Sequence, residues 1–131
     1  MSKLIDLIIN NNCECIGKVG LDDINKAEQE LNIKFSDELI EYISNFGAIS
    51  YSSREINGLG TNSYLNIVKS TTNARNNILN FPYEFAVLED TGIQNIKILI
   101  DEFNKIYEWK DNSCKKIYES LYDFLYDEIF V

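Results

Sequence analysis

The chain has 131 residues, 45% of them hydrophobic and 12% aromatic, with a single proline. That length and apolar content suit one domain spanning 1–131 that buries roughly two-thirds of its unfolded surface, and exclude a disordered tail. A formal net charge of -9 disfavours nucleic acid and anionic membrane as direct partners, because phosphate binding needs clustered Lys and Arg; a basic partner is the better match.

Leu4, Ile5, Leu7, Ile8 and Ile9 predict a short first helix, capped by Ser2 and ended by Asn10, Asn11 and Asn12. The opening MSKLIDLIINNN has too short an apolar run, interrupted by Asp6, for an export signal, and no run approaches a membrane span. With three cysteines and no expected signal, a reducing, cytoplasmic setting is expected. Cys13 to Ile16 predicts a short extended piece leading to Gly17 and Gly20. Leu21, Ile24, Ala27 and Leu31 then recur at helical spacing, with Asp23, Lys26 and Glu30 on the wet side. Ser36, followed by Asp37 and Glu38, supplies a cap oxygen and two first-turn carboxylates for a third helix, whose stripe is Leu39, Ile40, Ile43 and Phe46. Gly47 is expected to end it in a left-handed conformation.

Beyond the loop Thr61-Asn62-Ser63, the stretch from Tyr64 to Ile78 gives mixed signals and is assigned to helix. Phe85 to Leu88 predicts a strand, Asp90-Thr91-Gly92 a turn, and Ile96, Ile98 and Ile100 a central strand. Asp101 to Lys105 is expected to connect that strand to the next, Ile106 to Lys110, which turns Tyr107 and Trp109 to one side. A last helix is expected from Cys114 or Ile117 to about Phe130, on the strength of Ile117, Leu121, Phe124, Leu125 and Ile129. The order predicts an α+β fold in which N-terminal helices precede a central antiparallel sheet and a C-terminal helix packs on it.

Ile24, Glu28, Leu31, Ile33 and Phe35, then Glu38, Ile40, Tyr42, Ile43, Phe46 and Gly47, then Ile56-Asn57-Gly58 resemble the signature of the SUKH superfamily. That superfamily groups bacterial toxin-immunity proteins with fungal regulators of cell-wall synthesis. Asn32 stands where the pattern usually has glycine, and Phe35-Ser36 where it has Leu-Pro. Asn tolerates the left-handed conformation and Ser caps helices, so both replacements keep the geometry. The resemblance implies a SUKH-like fold with structural roles for Glu28, Gly47 and Gly58. Glu28 is expected to bond neighbouring backbone and not a ligand.

Catalytic and metal-binding groups are hard to assemble. The chain has no histidine, which removes the commonest base near neutral pH, the usual nucleophilic triads and the ligands of most zinc sites. Cys13, Cys15 and Cys114 are too few and too scattered for a four-ligand site. Gly58-Leu59-Gly60 lacks the third glycine of a dinucleotide loop. Acidic neighbours such as Asp22 with Asp23, Glu89 with Asp90 and Asp101 with Glu102 are expected from composition, because the chain holds 21 acidic residues. No catalytic residue, cofactor or metal is assigned.

The resemblance implies a protein-binding domain: an immunity protein that holds and blocks a cognate toxin domain with a basic surface, a nuclease being one such toxin. A regulatory scaffold is the first alternative, and a small-molecule-binding or unrecognised enzymatic domain the second. Glu119, Asp123 and Asp127 recur at i, i+4 and i+8 with Tyr122 and Tyr126 beside them, and are the expected partner-binding residues. Trp109, the sole tryptophan, is expected in the core.

Overall fold

The computed structural model describes residues 2–93 and 95–131. Helix α1 spans Lys3–Asn10, and the Ser2 hydroxyl accepts the Ile5 amide at its start. After strand β1, Glu14–Cys15, come helices α2, Leu21–Leu31, and α3, Asp37–Phe46. The connection between them is fixed by Asn32, which holds φ 54 and ψ 44, and by the Ser36 hydroxyl, which accepts the Leu39 amide. Ile24, Ala27 and Leu31 are buried, whereas Leu21, expected on the same stripe, is 61% exposed. It occupies the first helical position, beyond the reach of the core.

Gly47 has the positive φ that the sequence reading expects, but φ 74 with ψ -79 is a tighter bend than a left-handed helical residue. The Ala48 amide donates back to the Phe46 carbonyl at 2.9 Å, closing a three-residue turn that only glycine enters cheaply. Strands β2, Ile49–Tyr51, and β3, Arg54–Ile56, follow as a hairpin on Ser52 and Ser53, both at positive φ. β2 also pairs with β1, so the first sheet has the order β1-β2-β3, all antiparallel.

Helix α4, Ile67–Asn77, precedes a second antiparallel sheet of β4, Ala86–Asp90, β5, Lys97–Ile100, β6, Ile106–Lys110, and β7, Ser113–Tyr118, in that order. β7 corrects the sequence reading, which starts the last helix at Cys114 or Ile117. The chain reverses through Asp111 and Asn112, both at positive φ, and Trp109 pairs with Cys114. Ser113 to Lys116 are exposed, so this edge strand lacks the alternation of buried residues by which strands are recognised. The last helix is therefore short: an α-helical turn, α5, Leu121–Phe124, runs into a π-helical turn, Leu125–Ile129.

Two apolar clusters hold the domain together. The larger joins α1, α2, α3 and the last helix with Ala86, Leu88, Ile98, Ile100 and Ile106 on one face of the second sheet. The smaller lies on the other face, where Val87, Leu99 and Trp109 meet Ala74, Phe81 and Phe85. With both faces covered, Ile98, Leu99 and Ile100 are all buried. Tyr42 is fully buried and spends its hydroxyl twice, donating to the Ile56 carbonyl at 2.8 Å and accepting the Ile49 amide at 3.1 Å. It thereby fixes the β2–β3 hairpin to α3.

Candidate interaction surfaces

The signature residues lie at the joints of this fold. The Glu28 carboxylate accepts the Phe35 amide at 2.8 Å, and the Glu28 carbonyl accepts the Ile33 amide at 3.2 Å, so one residue organises the passage from α2 to α3. Glu38 accepts from Asn104 Nδ2 at 2.7 Å and from the Tyr122 amide at 3.1 Å, tying the start of α3 to the β5–β6 turn and the start of α5. A carboxylate at a helix N-terminus also complements the partial positive charge there. Gly58 has no room for a side chain, because a Cβ would lie 1.6 Å from the Gly47 carbonyl oxygen. Trp109 is 5% exposed and meets the Phe81 ring edge-on at 5.6 Å.

The five residues expected to bind a partner do not form one helical stripe. Glu119 precedes the helix, which Ser120 caps by accepting the Asp123 amide. Its carboxylate lies 2.7 Å from Lys116 Nζ and 3.0 Å from Lys105 Nζ, and hydrogen bonding and charge from these two lysines hold its pKa down to about 2. The structure thus gives Glu119 partners within the chain. Tyr122 and Tyr126 do come together, with stacked rings 6.0 Å apart and Lys3 Nζ 4.3 Å above Tyr122. Tyr126 is 57% exposed. Asp127 is exposed beside it, Asp123 is half-buried, and neither forms a salt bridge among the described residues.

A second surface was not anticipated from the sequence. A groove of about 810 Å³ runs between α4 and the end of β3, lined by Leu65 and Val68 and by Glu30, Glu55, Asn57 and Asp90. Tyr64 is 69% exposed on its edge and donates its hydroxyl to Glu55 at 2.7 Å. Asp90 is held below the ordinary carboxylate range: burial opposes ionisation, but hydrogen bonds from Lys97 and the Gly92 amide outweigh it. Among the described residues of the lining Lys69 is the sole cation, and its ammonium bonds the Asn62 carbonyl. The only signature residue in this wall, Asn57, is 3% exposed; its amide donates to the Leu88 carbonyl at 2.7 Å and its Nδ2 to the Val87 carbonyl at 2.9 Å, joining the two sheets. The groove needs residues from four separate elements, which no local pattern brings together.

Cys13, Cys15 and Cys114 are free thiols, and among the described residues no group of three or more Cys, Asp or Glu is arranged to hold a metal ion. No helix among the described residues is long and apolar enough to cross a membrane. The arrangement offers charge, hydrogen-bond acceptors and exposed tyrosines, which suit recognition of another molecule.

A family model described as SMI1-KNR4 cell-wall, SUKH_5, matches residues 1–130. The chain therefore belongs to the SUKH superfamily, within its SMI1-KNR4 branch. Among solved structures, it is similar to a protein from Pseudomonas syringae pv. tomato, with a TM-score of 0.80 and 16% identity, over 98% of this chain and 97% of that one. At that identity the likeness establishes the fold alone. Comparison with curated proteins returns no match.

Proposed function

We propose that this SUKH domain is a non-catalytic protein-binding module, an immunity protein that neutralises a cognate toxin by covering its working surface. The observation that carries this reading is the face of the last helix, where Tyr126 stands exposed and stacked on Tyr122 with Asp123 and Asp127 left without salt-bridge partners among the described residues. Stacked tyrosines supply contact area at little conformational cost, and unpaired carboxylates steer a basic protein into encounter. The net charge of -9 acts in the same direction over longer range. Inhibition needs only a tight interface that excludes substrate.

The reading is tested by expressing the neighbouring gene of the native locus with and without this chain. Growth arrest by the neighbour, relieved by this chain through a stable complex, is the expected result. A neighbour that is harmless alone, together with a change in cell-wall synthesis on deletion of this chain, supports regulation instead.

A further inference from the structure

Of the strands that edge the two sheets, β1 has only two residues. β3 and β4 are joined to each other, because the Asn57 amide and Nδ2 donate to the Leu88 and Val87 carbonyls, and the Val87 amide donates to the Thr71 hydroxyl. β7 is left open. It exchanges no backbone hydrogen bond with any element but β6 among the described residues, and Ser113, Cys114, Lys115 and Lys116 are all exposed. A row of free N–H and C=O groups is a template for one more strand.

The side chains beside this edge select the strand that fits. Trp109 pairs with Cys114 and Tyr107 with Lys116, which places these four on one face. There a hollow of about 510 Å³ is lined by Leu79, Phe85, Tyr107, Trp109 and Cys114, with Leu79 83% exposed and Glu84 disfavouring a second carboxylate. On the other face Lys110 pairs with Ser113 and Glu108 with Lys115. Lys110 and Lys115 are exposed, and neither forms a salt bridge among the described residues. Successive side chains of a strand point to opposite faces, so a segment laid along β7 sets every second residue over the apolar hollow and the others beside these lysines. A second copy of β7 does not match: antiparallel to the first, it brings Lys115 and Lys116 against their counterparts, and like charges opposed across strands repel.

We propose that β7 takes an extended segment of the protein partner as a fifth strand of the second sheet, and that this segment alternates carboxylates with aliphatic residues. Its carboxylates pair with Lys110 and Lys115, one aliphatic side chain enters the hollow, and main-chain hydrogen bonds along the edge hold it in register. Lys116 takes no part, because Glu119 already holds it at 2.7 Å. The proposal rests on the reading of the chain as a protein-binding module and adds a contact on a different element from the last helix.

The test uses the full chain and short synthetic peptides blocked at both ends: one alternating Glu with Val, one alternating Lys with Val, and one alternating Glu with Val but interrupted by proline, which breaks a strand. Nitrogen-proton spectra and amide exchange are recorded during titration. The expected result is that the Glu-Val peptide shifts the backbone amides of Ser113 to Lys116 and the Trp109 indole N–H and slows exchange along β7, while the other two do neither. Lys110→Gln with Lys115→Gln should fold normally, since both side chains are exposed, and weaken binding of the Glu-Val peptide about three- to tenfold, as loss of two exposed ion pairs implies. No response to any peptide, the outcome if the lysines only guard the edge, would overturn the proposal. So would equal response to the Lys-Val or the proline peptide, or slowed exchange of β7 in the concentrated protein alone, which would make a second copy the occupant. A toxin that forms a stable complex without moving the β7 resonances would refute the fifth strand and leave the immunity reading standing. Seating of the Glu-Val peptide on β7 without any protein partner in the native locus would do the reverse.

Discussion

Arg54 holds Glu89 through two hydrogen bonds, Nε to Oε2 and Nη2 to Oε1, each 2.7 Å long, across the gap between β3 and β4. The Glu89 side chain is only 3% exposed and that of Arg54 35%, so a nearly buried carboxylate depends on one guanidinium. The same contact raises the Arg54 pKa, chiefly through the hydrogen bond to Glu89. Arg54→Ala leaves that carboxylate buried and unpaired. A full burial of both partners would make the loss about 3 to 5 kcal/mol; with Arg54 partly in water about 2 to 3 kcal/mol is expected, read as a lowered denaturation midpoint. Pairing Arg54→Ala with Glu89→Leu should restore part of it. A midpoint unchanged by Arg54→Ala would show that the two sheets are held by Asn57 and packing alone.

Gly58 gives a sharper outcome. The Cβ of an alanine would meet the Gly47 carbonyl oxygen at 1.6 Å, and that oxygen is backbone, so the clash cannot be relieved by a rotamer change. Gly58→Ala is expected to cost at least about 4 kcal/mol or to prevent folding. Gly20→Ala, where an added Cβ meets nothing within 4 Å, serves as the control and should fold with stability close to the parent. Equal stability of the two variants, measured by thermal unfolding, would contradict the close approach of these backbones.

These joints also show what can be read from residues in order and what cannot. The N-caps at Ser2 and Ser36, the left-handed Asn32 and the core stripes of α2 and α3 are local features, and the chain displays them. β7 was hidden because its first four residues face water and its hairpin rests on Asp111-Asn112, a turn pair without glycine. Glu119, Asp123 and Asp127 do not share one helical stripe, since Glu119 lies between the end of β7 and the start of α5 and its carboxylate pairs with Lys105 from another turn. Asn57 and Tyr42 stand in the signature, but their roles depend on Val87, Ile56 and Ile49, partners that only the folded chain supplies.

Glu28→Gln keeps the shape of the side chain but removes the charge that receives the Phe35 amide. A loss of about 1 to 3 kcal/mol in unfolding free energy is expected, with partner affinity unchanged once the protein is folded. A stable variant that has lost only partner binding would make Glu28 a contact residue.

Trp109 is 5% exposed and packed against Phe81. Its emission should be blue-shifted and poorly quenched by iodide, and both properties should persist when a partner binds at the last helix. Free quenching in the isolated protein that disappears on adding partner would move Trp109 to the interface, where tryptophan often anchors binding.

The central claim is that carboxylates on the last helix draw in a basic protein, and association kinetics with the cognate partner test it most directly. The rate is measured at low and moderate salt for the parent chain, for Asp123→Asn with Asp127→Asn, and for Glu119→Gln. Because Lys105 and Lys116 already neutralise Glu119, that single change should leave the rate close to the parent. The double variant should keep its fold, associate more slowly and show a weaker dependence on salt. Parent-like kinetics in the double variant at both salt concentrations would contradict the claim and place the encounter surface elsewhere on the domain.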